Sequence, residues 1–161
     1  MTQIPQANIT PVTVYSYWRD GQADYATYNR IVILRSHFEP GAERFVKEHG
    51  AEVALDAILI VYELAGYAGF SAYQQMRLPD IEGGRLWTLN PGTPTPRDQS
   101  YIVIGSAGFE FTPGTLAVLA QQENELKKAY PYDVYRCGRV ALREVGSRRM
   151  RHLEVGLKRA V

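Results

Sequence analysis

The side chains best suited to chemistry are three histidines, one cysteine and a scatter of serines and carboxylates. His37, His49 and His152 stand far apart, with no His-Glu-x-x-His pair and no companion cysteines, so a metal site would need a convergence that only folding could supply. His37 and His152 fall on strand-like segments, where a hydrogen-bonded structural histidine is the commoner outcome. Ser71, Ser100, Ser106 and Ser147 lack a Gly-x-Ser-x-Gly setting, and neither a P-loop nor a dinucleotide glycine pattern is present. Cys137 has Arg136 and Arg139 nearby, which would activate an exposed thiol; the alternative is a buried, inert cysteine. Glu52, Asp56 and Glu63 could pair in space, as carboxylates in any domain could. The expectation is a chain with no catalytic, cofactor-binding or metal site, and not an enzyme.

The segments that would position such groups read mainly as strands. Pro11-Val12-Thr13-Val14-Tyr15-Ser16-Tyr17-Trp18 is dense in β-branched and aromatic residues, and Asp20-Gly21 supplies a turn. Residues 28–38 follow as a strand whose apolar run Ile31-Val32-Ile33-Leu34 predicts cover on both faces. Residues 42–50 are charged and predict a helical turn or a loop, and residues 53–62 predict another strand, with Asp56 at an edge or paired. Tyr101 to Gly105 reads as a short buried strand. Thr112 or Thr115 caps a helix over 115–130, with Leu116, Leu119, Leu126 and Tyr130 as its apolar stripe and Pro131 as its stop. Residues 132–143 place Val134, Val140 and Leu142 on a core side and Asp133, Tyr135 and Arg139 opposite. After a Gly146-Ser147 turn, Leu153, Val155 and Leu157 share one face of the last strand. The fold class is therefore mainly antiparallel β, a barrel or a sandwich, with one helix.

Between the strands, residues 64–98 form a long irregular excursion interrupted by glycines and prolines. Its Tyr67, Phe70, Tyr73, Met76, Leu78, Leu86 and Trp87 are too apolar to leave in water. They pack on the domain's own core or meet a neighbouring subunit.

The length of 161 residues fits one domain over 1–161. The apolar run 57–61 falls far short of the roughly 20 residues that cross a bilayer, and the first residues lack the marks of a signal peptide, so no membrane association is expected. A lone cysteine suits a reducing compartment. The net charge of +1 conceals a division. Residues 1–125 hold eight Lys/Arg and fourteen Asp/Glu, a net of −6, and residues 126–161 hold ten and three, a net of +7. The basic end neutralises its own acidic body, or it presents Arg136, Arg139, Arg148, Arg149 and Arg151 to an acidic neighbour or a phosphate backbone.

The two ends of the chain resemble a family. Val12-Thr13-Val14-Tyr15, then Asp20-Gly21 with Tyr25 and Tyr28, then Ile31-Val32-Ile33-Leu34-Arg35, is similar to the start of the head-closure (stopper) proteins of tailed bacteriophages, which are small minor capsid proteins. Tyr132-Asp133-Val134-Tyr135 is similar to the family's penultimate strand, and His152-Leu153-Glu154-Val155 to its closing His-aromatic-Glu-Val strand, with Leu153 in the aromatic place. The resemblance covers the first third and last fifth of the chain, and residues 64–98 depart from a minimal member.

The resemblance implies a small β-barrel-like domain, made in the host cytoplasm and located in the virion. Copies of it would form a ring at the head–tail connector, between portal- or adaptor-side and tail-side proteins, closing the DNA channel after packaging and docking the tail. Non-specific contact with double-stranded DNA is a further implication, and Tyr67, Phe70, Tyr73, Met76, Leu86 and Trp87 would form a subunit-contact or gating loop. Deleting residues 83–96 would then yield heads that leak DNA or fail to join tails. Two alternatives remain: a small phage or plasmid protein that inhibits a host factor, and an unrecognised hydrolase or nuclease.

Overall fold

The computed structural model describes residues 10–20, 24–48, 51–73, 76–82, 84, 86–91, 99–144 and 146–160. Six strands, β1 (Thr10–Arg19), β2 (Ala26–Glu48), β3 (Ala51–Tyr62), β4 (Tyr101–Ile104), β5 (Val134–Arg143) and β6 (His152–Arg159), close into an antiparallel barrel in the order β1-β2-β3-β6-β5-β4. Of the two architectures open from the sequence, the barrel is the one formed. Closure pairs every strand on both edges over the barrel proper, which removes the open edges of a flat sheet.

Strand alternation divides the buried residues into two cores. Val12, Val14, Leu59, Val61, Ile102, Leu153, Val155 and Leu157 fill the barrel interior. Tyr15, Tyr17, Tyr28, Tyr101, Val103 and Val134 point outward and are covered by Leu119 and Leu126 of α2 (Leu116–Ala129) and by Phe111. The rings interlock, with Tyr28 and Phe111 centroids 4.6 Å apart. α1 is a five-residue turn, Leu78–Glu82. α2 begins where its sequence says: the Thr115 hydroxyl accepts the Val118 N–H at 3.3 Å, which satisfies one of the free donors of the first turn.

Three expectations need correction. Residues 42–48 are neither helical nor a loop, because β2 continues to Glu48 and pairs with β3 down to Glu48 opposite Ala51. The run Ile31 to Leu34 is not covered on both faces: Ile33 is buried, whereas Leu34 is 72% exposed, since this stretch of β2 has a core on one side only. Tyr135 is buried in the barrel interior with Cys137, not opposite the core, and Leu142 is exposed. Leu142 keeps the inward side, opposite Leu153, and is exposed near the hairpin end; the inversion at Tyr135 comes from a bulge at Gly138, between Cys137 opposite Leu157 and Arg139 opposite Gly156. It adds one residue and exchanges the inward and outward positions of β5.

Candidate functional site

β1 and β2 pair from Arg19 opposite Ala26 back to Thr10 opposite Ser36, after which β2 passes to β3. β3 in turn pairs with β6 only over Ala57 to Tyr62. The segments 44–48 and 51–55 therefore pair only with each other among the described residues, as a two-stranded arm about 16 Å long at 3.3 Å per residue. The arm leaves the barrel at a bulge where residues 41–43 face Asp56 alone. Leu55, 4% exposed, fixes its root. Its methyl carbons would lie 2.7 and 2.8 Å from a β-carbon on Gly156 and one lies 3.6 Å from a β-carbon position on Gly138, so two glycines leave the recess into which Leu55 fits.

The aromatic excursion folds back on its own barrel. Phe70 and Trp87 form a parallel bridge, and the Trp87 indole N–H donates to the Ala68 carbonyl at 3.2 Å. Trp87 and Leu89 enter the interior core, and Met76 is buried. Tyr67 and Phe70 pack half-buried against the interior core, and Tyr73 against the outer one. Leu86 is half-buried. The Ile33 side chain occupies the place a Gly66 β-carbon would take, so only glycine lets this turn lie against β2. Around Trp87 the backbone is stitched by buried hydroxyls: Ser16 accepts from Thr88 N–H at 3.0 Å, and Ser100 accepts from Asn90 N–H at 2.8 Å and Tyr17 N–H at 3.2 Å. Removing residues 83–96 would thus take Trp87 and Leu89 out of the core. Met76 and Trp87 offer no surface to a neighbour; Tyr67, Phe70, Tyr73 and Leu86 keep part of theirs. Residues 83 and 92–98 lie outside the described residues.

The basic residues fall into two groups along the β5–β6 hairpin, about 13 to 20 Å apart at 3.3 Å per residue. At one end Arg151 reaches Glu63 at 3.9 Å, Arg143 meets Glu154 at 3.4 Å, and Arg149 is exposed on the turn before β6. The Arg148 side chain lies outside what is described. At the other end Arg136 stands opposite Lys158, and Arg139 opposite Gly156, all directed outward. Lys158 is the partner that sequence reasoning missed, because its register with Arg136 depends on the Gly138 bulge.

The groups considered for chemistry are dispersed. His37 Nε2 lies 2.8 Å from Glu39, and His152 bonds to the Met150 carbonyl at 2.8 Å and to Glu154 at 3.2 Å. His49 lies outside the described residues. Burial raises Glu154, but the bonds and charges of His152 and Arg143 outweigh it and hold the carboxyl below its ordinary range. Cys137 is buried, and desolvation pushes its thiol well above the ordinary value despite a backbone bond from Arg139. Asp56 accepts the Arg159 N–H at 2.8 Å. Ser100 is buried within the backbone bonds above, and among the described residues no histidine is hydrogen-bonded to Ser71, Ser106 or Ser147. Among the described residues no three His, Cys, Asp or Glu side chains gather as a metal site, and no helix is long and apolar enough to cross a membrane.

No family model, no curated protein and no solved structure matches the chain.

Proposed function

We propose that the protein is a structural component of a tailed-phage virion, forming a ring at the head–tail connector that closes the DNA channel after packaging and docks the tail. The observation that carries this reading is the two-stranded arm. A ribbon of two strands alone in water is marginal, and both its outer edges carry backbone donors and acceptors that pair with nothing among the described residues. A second chain laid against an edge completes a sheet, with main-chain hydrogen bonds supplying affinity. In a ring the contact is heterologous, so one copy's arm meets a different face of the next. The resemblance of both chain ends to head-closure proteins names the assembly, and the closed barrel with one helix suits a small ring subunit.

The test is to replace residues 43–52 with an Asn-Gly turn, leaving Leu55 in place, and to compare both chains by electron microscopy, mass photometry and complementation of a phage lacking the protein. The original chain is expected to form rings and to be a stoichiometric virion component. The armless chain should unfold cooperatively yet remain monomeric, giving heads that leak DNA or lack tails. A strictly monomeric original chain, or an armless chain that assembles normally, overturns the reading.

A further inference from the structure

On the outer surface of β5 and β6, Arg136 faces Lys158 across the ladder, and Arg139 follows two ladder steps on, about 7 Å along the strand. The residue opposite Arg139 is Gly156, and the Leu55 methyls lie over it, between Arg139 and Lys158. Lys127, at the end of α2, adds a fourth cation; burial and then the Arg136 charge disfavour its ammonium, and the Glu123 carboxylate opposes them in part. Like charges set directly opposite each other weaken a sheet. Of the carboxylates near this row, Glu154 is paired with Arg143 and His152, while Glu123 accepts the Tyr28 hydroxyl at 2.6 Å and Asp56 the Arg159 N–H. Among the described residues neither Arg139 nor Lys158 has an ion-pair partner. Arg136 is oriented over the Tyr101 ring, 5.9 Å from its centroid.

Arg139 and Lys158 thus carry charge on this face without an ion pair among the described residues. β5 is paired to β4 and β6, and β6 to β3 and β5, so this part of the barrel has no free edge on which a peptide strand could add. A row of charge without a free edge fits a regular polyanion better than a protein segment read by its side chains. We infer that the outer β5–β6 face around Arg136, Arg139 and Lys158, with Lys127 beside it, binds the phosphodiester backbone of double-stranded DNA without reading its sequence. The inference goes beyond the ring and does not depend on it.

The experiment titrates the full chain into a labelled duplex of random sequence, about 25 base pairs long, between about 50 and 200 mM salt, and follows fluorescence anisotropy. Each cation that neutralises a phosphate contributes roughly 0.9 to the slope of log affinity against log salt, so R136Q, R139Q and K158Q combined should reduce it by about 2.7. R35Q, an exposed arginine on β2, should leave it unchanged. Near-UV circular dichroism verifies that the triple variant is folded, and mass photometry of the same variant records its assembly separately. Loss of duplex binding with assembly intact supports the DNA face whether or not the native chain forms rings. No duplex binding by the original chain at the lowest salt overturns it, as does an unchanged slope in the folded triple variant. So does capture of polyglutamate through these residues as tightly as the duplex, which would assign the face to an acidic protein.

Discussion

Replacing Gly156 with alanine separates backbone preference from packing at the root of the arm. Gly156 does not adopt a left-handed conformation, so on propensity alone alanine in mid-strand would stabilise the fold by roughly 0.5–1 kcal/mol. The new methyl, however, would lie 2.7 and 2.8 Å from the Leu55 methyl carbons and 3.3 Å from Arg139 Cβ, where carbon atoms prefer about 3.5–4.0 Å. Leu55 must retreat by nearly 1 Å, and it is buried at 4% exposure against the neighbouring Gly138 recess. Overpacking of this kind costs about 1–3 kcal/mol, which after the propensity gain leaves G156A less stable by up to about 2.5 kcal/mol. L55A alone should cost about 2–5 kcal/mol, but in that background the alanine at 156 has room and returns its propensity gain. The double-mutant cycle should therefore show a coupling of about 2 kcal/mol. Urea unfolding measures all four proteins, with the midpoint moving at constant slope. A higher midpoint for G156A, or additivity within about 0.5 kcal/mol, refutes the Leu55 seat.

Further tests bear on the rest of the fold. S100A leaves the Tyr17 and Asn90 N–H groups buried without their acceptor and should lower stability by about 2–4 kcal/mol in the same urea assay; a loss under about 0.5 kcal/mol would mean the hydroxyl is dispensable. Burial, followed by the Glu123 charge and bond, raises Tyr28, and burial likewise raises Tyr15 and Tyr101, above the ordinary value of 10.0. These hydroxyls favour the neutral form in the folded chain, so their contribution is complete below about pH 10 and is lost as pH rises beyond it; a urea midpoint that stays flat from about pH 9 to pH 11 contradicts this. Cys137 should resist a thiol reagent in the native protein and react at once after unfolding, and rapid native labelling would show that the barrel interior is open.

How much was legible in the sequence follows from how local each signal is. The helix was readable because Thr115, the Leu119 and Leu126 stripe, Lys127 and Lys128, and Pro131 all act within one turn of their neighbours. β6 was readable because Leu153, Val155 and Leu157 alternate on one inner face. The arm was not, since residues 42–48 carry mixed charges without alternation and become a strand through continuity with β2 and pairing to β3. Trp87 and Leu89 lie in an irregular segment, so their apolar character was visible but their destination inside the barrel was not. The Arg136–Lys158 pair lay one bulge away: Arg139 and Lys158 already fall on the outward side, but without the extra residue at Gly138 the register from Cys137 back to Tyr135 is off by one and Arg136 falls on the inward face.

The arm and the cationic row meet at one joint, and this gives the two proposals a common physical consequence. Leu55, which seats the arm, rests in the recess formed by Gly156 and Gly138; Arg139 Cβ lies 3.3 Å from the β-carbon position on Gly156, and Lys158 Cγ 3.6 Å from that on Gly138. A neighbour whose binding to the arm moved Leu55 would also shift the side chains proposed to face DNA. Thermodynamic linkage then requires DNA to alter the neighbour's affinity for the arm by the same factor that the neighbour alters the affinity for DNA. If the proposed ring forms, its subunits would register through Leu55 whether DNA lies against them. If L55A leaves both interactions intact but independent, Leu55 carries the coupling; if the coupling persists in L55A, it runs through another part of the barrel.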